Sequence, residues 1–145
     1  GIDDSLALLY ACASAEADLL AVMCSAGNVD AAQVAENTLA VLELAGRPDV
    51  EVALGRATPL ERDLVTTPET HGPRGIGWAE LPAPRAALSS RHSADLIVEE
   101  AGGVATDHLG QPFIYNRPIP RQRSLVCSGP ALVPLLLERL RHIEL

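Results

Sequence analysis

Lysine is absent from all 145 residues, every one of the eleven cations is an arginine, and nineteen acids bring the formal net charge to −8. A nucleic-acid backbone is therefore a poor partner, because neutralising phosphates takes clustered Lys and Arg. Cysteine is scarce and unpatterned: Cys12, Cys24 and Cys127 show no CxxC spacing, which excludes a disulfide framework and a thiolate metal knuckle. They read as small buried hydrophobes in a reducing compartment, not as a catalytic thiol. No apolar run reaches the roughly 18 residues of a membrane span, and no charged-then-apolar leader is visible, so a soluble, cytoplasmic protein is expected. Internal repeats and low-complexity tracts are missing as well.

What is present is an apolar chain, 48% hydrophobic, long enough for one real core and too short for two full-sized domains. Its charge is uneven: residues 1–100 balance to −10 and residues 101–145 to +2, which suggests two segments of different origin. Asp3 to Ala13 predicts a helix capped by Asp3 or Asp4 and buried on most of its surface. Ala17 to Cys24 predicts a buried parallel strand, Ser25-Ala26-Gly27-Asn28 a turn, and Asp30 the cap of a second helix that Gly46 closes. Val50 to Leu54 is the next strand. Strand, helix and strand in that order make a right-handed crossover, hence an α/β fold with an open, mostly parallel sheet and flanking helices, Rossmann-like in architecture. Residues 56–90, rich in Pro and Gly, read as a functional lid or a disordered segment. Ser93 to Ala101 returns to helix. Val104-Ala105-Thr106 and Phe113-Ile114-Tyr115 around Asp107-His108-Leu109-Gly110 predict a β-hairpin, Ser124 to Cys127 a strand, and Ala131 to His142 a last helix.

The chemistry-bearing candidates begin with Asp3 and Asp4 at the threshold of the first helix. The helix dipole favours acids there without any function. Yet Asn28, in the turn at the end of the first strand, stands at the sheet edge where open α/β sheets bind ligands. His71 lies in the glycine-hinged stretch Thr70-His71-Gly72-Pro73-Arg74-Gly75-Ile76-Gly77, which could close over that edge. His92, His108 and His142 are scattered without zinc-site spacing. Arg117, Arg121 and Arg123 form the basic cluster, readable as a solvated face or a phosphate contact. Trp78 is the sole indole, a packing or base-stacking residue. Ser128-Gly129 lacks the glycines of a phosphate loop.

Gly1-Ile2-Asp3-Asp4 before an apolar helix resembles the end of the Asp-x-Asp-x-Gly-x-Asp-Asp signature of inosine-uridine-type nucleoside hydrolases. Ser25-Ala26-Gly27-Asn28 resembles their strand-end turn, Glu36-Asn37-Thr38 through Leu44-Ala45-Gly46-Arg47 their second helix, and Pro59-Leu60 with His71-Gly72 and Gly75-Ile76-Gly77 their active-site loop. The resemblance covers residues 1–98. It implies calcium-dependent hydrolysis of the N-glycosidic bond of ribonucleosides through an oxocarbenium-like transition state. Asp4 matches a calcium-ligating carboxylate, Asp3 and Asn28 ribose contacts, and His71 a loop residue near the base. It also implies that the general base sits on a strand preceding Gly1, outside these residues, so no catalytic residue is assigned within the chain.

The tail is similar to a different family. Glu99-Glu100-Ala101-Gly102-Gly103-Val104-Ala105-Thr106-Asp107 with Gly110-Gln111-Pro112, then Tyr115-Asn116-Arg117-Pro118 and Ser124-Leu125-Val126-Cys127-Ser128, resembles the inositol monophosphatase-like phosphatases, in their 3′(2′),5′-bisphosphate nucleotidase branch. Residues 1–98 and 99–145 are thus expected to be a truncated nucleoside hydrolase-like segment and a phosphatase-like segment of one composite domain. Three functions stay open: a nucleoside hydrolase, a non-catalytic recombined domain with weak ribose or nucleotide binding, and a phosphatase, the last lacking acids to hold two magnesium ions. Expected partners are a ribonucleoside or ribose and, through an exposed sheet edge, a second copy in a homodimer; nucleic acid and membrane are not expected.

Overall fold

The computed structural model describes residues 1–115 and 124–142. The chain forms two compact units, Gly1–Ser93 and the residues from Ala94 onward. In the first unit, helix α1 (Ile2–Ala13) leads to strand β1 (Ala21–Cys24), helix α2 (Ala31–Leu44) and strand β2 (Glu51–Leu54). β1 and β2 pair in parallel, Ala21 opposite Glu51 through Cys24 opposite Leu54, which gives the α/β architecture expected of the sequence. β1 extends over four residues, not the eight from Ala17, because β2 offers only four partners.

α2 follows its local signals. Asp30 accepts the N–H of Gln33 at 2.9 Å, an ordinary N-cap. At the other end Arg47 N–H reaches Leu42 O at 2.9 Å and Gly46 N–H reaches Glu43 O at 3.1 Å, with Gly46 at φ 74°. That six-to-one closure needs a left-handed residue and explains the glycine. The buried face of α2 meets the sheet, and Cys24, Ala35, Leu39, Leu42, Val50 and Val52 form the core.

α1 departs from expectation twice. Its N-cap is Gly1, without a side-chain cap, and Asp3 and Asp4 lie inside the first turn, where the dipole favours them. None of its residues is buried. Leu8 and Cys12 pack on the core, whereas Leu6 and Tyr10 are exposed, Tyr10 by 76%. One face of the twelve-residue helix packs on α2 and the core, while Leu6, Leu9 and Tyr10 face outward.

The Pro/Gly-rich stretch, read as a functional lid or a disordered segment, is hydrogen-bonded at several points. Short helix α3 (Pro68–His71) is followed by a turn in which Gly77 N–H donates to His71 O at 2.7 Å. Gly72, at φ 80°, has the Gly77 carbonyl oxygen 1.9 Å from where a Cβ would stand. Close approach, not hinging, demands glycine there. Farther on, Glu43 accepts the N–H groups of Arg85 and Ala86 at 2.6 and 2.7 Å. Ser89 N–H bonds Val52 O at 2.8 Å, and Glu51 takes both Ser89 Oγ and the Arg91 guanidinium.

Helix α4 (Ser93–Glu100) crosses the division between the units. In the second unit strand β3 (Val104–Thr106) pairs antiparallel with β4 (Val126–Ser128), and helix α5 (Val133–Leu140) follows. The expected hairpin is corrected: Asp107 to Gln111 do form the turn, with Asp107 N–H on Gln111 O at 2.9 Å, yet Phe113 to Tyr115 do not return along β3. Their rings pack edge to face at 6.0 Å, and Tyr115 Oη donates to Asp95 Oδ1 at 2.6 Å. That bond and burial push the phenol pKa well above its ordinary value. Arg117, Arg121 and Arg123 lie outside the described residues.

Candidate functional site

A cleft of about 600 Å³ opens between α1, β1 with its following turn, and α2, a size that accommodates a small organic ligand. Its walls include Asp4, Ser5 and Leu8 from α1, Met23 and Asn28 from the strand end, and Asn37 from α2. β1 has no neighbour on its other edge among the described residues, and Ala21, Val22, Met23 and Cys24 all line the cleft.

Asp4 is placed here by the first turn of α1. Its Oδ2 lies 3.0 Å from the Gly1 nitrogen, and the side chain stays 87% exposed. Asn28 is placed by the turn after β1, where Gly27 N–H bonds Val29 O at 3.0 Å and buried Val29 packs on Gly75. A point at the Cβ position of Gly1 would lie 2.8 Å from Asp4 Oδ2 and 3.5 Å from Asn28 Nδ2. A carboxylate that accepts and a carboxamide that can donate thus converge on one spot, an arrangement complementary to hydroxyl groups.

The other two candidates stand apart from this wall. Asp3 is exposed and does not line the cleft. His71 ends α3, half-buried, with its backbone engaged by Thr67 and Gly77, and it does not line the cleft either. What comes next to Asn28 is the start of α3: Thr67 N–H donates to Asn28 O at 3.0 Å and Thr67 Oγ1 lies 3.4 Å from Asn28 Oδ1.

Asn37 is a buried polar residue that the sequence reading passed over. Its Nδ2 donates to Arg74 O at 2.7 Å and its Oδ1 accepts from Gln33 at 3.0 Å, while Arg74 pairs with Glu36 at 2.6 Å. The loop after α3 is thereby tied to α2. An asparagine in mid-helix was the available signal, since Asn disfavours helix interiors.

Elsewhere the candidates are structural. Cys24 is buried and its Sγ donates to Thr38 Oγ1 at 3.4 Å; burial raises its pKa, the opposite of a reactive thiolate. Cys12 is half-buried and Cys127 exposed, so burial holds fully for Cys24 alone of the three. Asp107 Oδ1 accepts from Leu109 and Gln111 N–H, each at 2.8 Å, a turn former's role. His108 is not exposed: its Nδ1 lies 2.7 Å from Ser124 Oγ. Trp78 is 88% exposed. Among the described residues no group of three or more His, Cys, Asp or Glu could hold a metal ion. Asp4 and Asn28 alone fall far short of the roughly six to eight oxygens calcium takes, so these residues by themselves do not fit that ion. Among the described residues no helix is long and apolar enough to cross a membrane.

A pyrimidine-specific ribonucleoside hydrolase, RihA, of Photobacterium profundum is 39% identical over 99 residues, covering 68% of this chain and 32% of the relative. An uncharacterized protein of Schizosaccharomyces pombe is 40% identical over the same span, with the same coverage. Among solved structures, a purine-preferring ribonucleoside hydrolase from Gardnerella vaginalis superposes with a TM-score of 0.65 at 32% identity, over 69% of this chain and 33% of that one. The plant nucleoside hydrolase PpNRh1 gives 0.61 at 30% identity, over 69% and 32%. The chain thus spans about a third of the length of the relatives it matches. Residues 1–131 match the family described as inosine-uridine preferring nucleoside hydrolase, and with the α/β fold in agreement, the chain belongs to that family.

Proposed function

We propose that this chain carries the sugar-binding part of a ribonucleoside hydrolase, an enzyme that cleaves the N-glycosidic bond of ribonucleosides. The observation that carries the reading is the convergence of Asp4 and Asn28 at the mouth of the cleft. A carboxylate there accepts from a sugar hydroxyl and stabilises positive charge that develops on the ring. Asp4 is proposed as one ligand of calcium in a site these residues do not complete, Asp3 and Asn28 as ribose contacts, and His71 as a residue near the base. Pyrimidine-specific and purine-preferring relatives both occur, so the base preference is left open and the ribose is the shared feature. The acidic charge of −8 supports a small-molecule partner over nucleic acid. A cytoplasmic place and a homodimer through the open edge of β1 complete the proposal, the latter supported by that edge's lack of a neighbour among the described residues.

A second reading, a non-catalytic domain with weak ribose or nucleotide binding, is favoured by the described residues, in which Asp4 and Asn28 fall far short of the oxygens a calcium ion takes. Composite origin for the tail, with its bisphosphate nucleotidase-like resemblance from about residue 99, draws support from the division into two units near that point. Incubation with inosine or uridine and calcium separates the first two readings. Release of free ribose, abolished in Asp4→Ala, establishes the hydrolase. Saturable binding without ribose release establishes the binding domain, and neither binding nor release overturns both.

A further inference from the structure

Thr67 occupies the N-cap position of α3 yet makes no side-chain cap bond. A threonine there ordinarily accepts an N–H of its own helix. Its hydroxyl is turned to Asn28 instead, 3.4 Å from Oδ1, and its backbone N–H donates to the Asn28 carbonyl at 3.0 Å. One residue therefore holds both the main chain and the side chain of Asn28. Thr67 is itself held, because its carbonyl accepts from Thr70 and His71 N–H at 3.1 and 3.0 Å.

The consequence is a choice of direction. A carboxamide oxygen only accepts, so the Thr67 hydroxyl must be the donor in this contact, and Oδ1 faces the loop. The opposite end, Nδ2, then lies on the side of Gly1 and the Asp4 carboxylate. Reversal of the carboxamide would make the Thr67 hydroxyl the acceptor and place Oδ1 beside the Asp4 carboxylate, so that a hydroxyl in the cleft would meet two acceptors and no donor.

We propose that Thr67 is a positioning residue whose hydroxyl fixes the Asn28 carboxamide with its N–H groups toward the cleft. The inference rests on the reading of Asn28 as a sugar contact, and its test is chosen to fail separately from that reading.

The test compares Thr67→Val, which keeps the shape and loses the donor, with Thr67→Ser, which restores it, in the full chain. The first measurement needs no ligand: the two Asn28 Nδ2 proton resonances in a ¹⁵N-correlated spectrum. In Thr67→Val they move toward the positions of a freely rotating carboxamide while the Asn28 backbone amide stays in place, and Thr67→Ser recovers the wild-type pair. Inosine titration is the second measurement, with affinity roughly five- to tenfold weaker in Thr67→Val, as for a lost neutral hydrogen bond, and restored in Thr67→Ser. Should valine disturb the fold, Thr67→Ala read in an Asn28→Ala background replaces it, where the loss of the hydroxyl carries no further cost in affinity. Unchanged Nδ2 resonances in Thr67→Val overturn the proposal, as does a serine variant that behaves like valine. Failure of the wild type to bind inosine overturns the sugar-contact reading and leaves the resonances to decide Thr67.

Discussion

Asn37 is the residue whose loss should be felt farthest from where it stands. It is 7% exposed and joins α2 to the loop after α3 through Arg74 O at 2.7 Å. Asn37→Ala leaves that carbonyl and the Gln33 carboxamide short of a partner, so a loss of about 1–3 kcal/mol is expected in urea unfolding. Glu51 supplies the clearest pH signature. Hydrogen bonds from Arg91, then Ser89, lower its pKa below the ordinary 4.5. A depressed carboxyl stabilises the fold above its unfolded pKa, and that contribution fades as pH falls through the folded value. Stability should therefore drop more steeply with acidification below about pH 4.5 in the wild type than in Glu51→Gln, as thermal melts in that range would report.

At the scale of elements, α1 and α2 make opposite forecasts. Leu42 is 1% exposed in the core, and Leu42→Ala should cost about 2–5 kcal/mol. Leu6 is 61% exposed, and Leu6→Gln should stay within about 0.5 kcal/mol of wild type, measured in the same denaturation series. Gly72→Ala sets a Cβ against the Gly77 carbonyl at a positive φ, so a loss of more than about 2 kcal/mol and faster proteolysis in the 67–77 loop are expected. α2 was legible in the sequence because its signals are local: the Asp30 cap and the Gly46 terminator each act within one turn. The length of β1 was not, since four residues of β2 decide it. Nor was the partner of β3: the Asp107 turn reads correctly, but Phe113 and Tyr115 are drawn aside by each other and by Asp95, and β4 arrives from farther along the chain. Of the site, Asp4 and Asn28 could be found because acids at a helix start and an asparagine at a strand end mark the sheet's ligand edge. Thr67 could not, because its role depends on a hydroxyl turning away from its own helix.

For the whole molecule, membership of the nucleoside hydrolase family and a span of about a third of its relatives' length stand together. The two polar side chains that meet at the cleft offer a hydroxyl one acceptor and one donor, whereas a metal site needs more ligands than they supply. Recognition of ribose is therefore the property on which the proposed function stands or falls. The most direct measurement is calorimetric or NMR titration of the full chain with inosine and uridine, alongside Asp4→Ala and Asn28→Ala. Saturable binding of both nucleosides, weakened roughly tenfold or more in each variant, is the expected result. Binding that is absent at millimolar ligand, or that is indifferent to both substitutions, would contradict it.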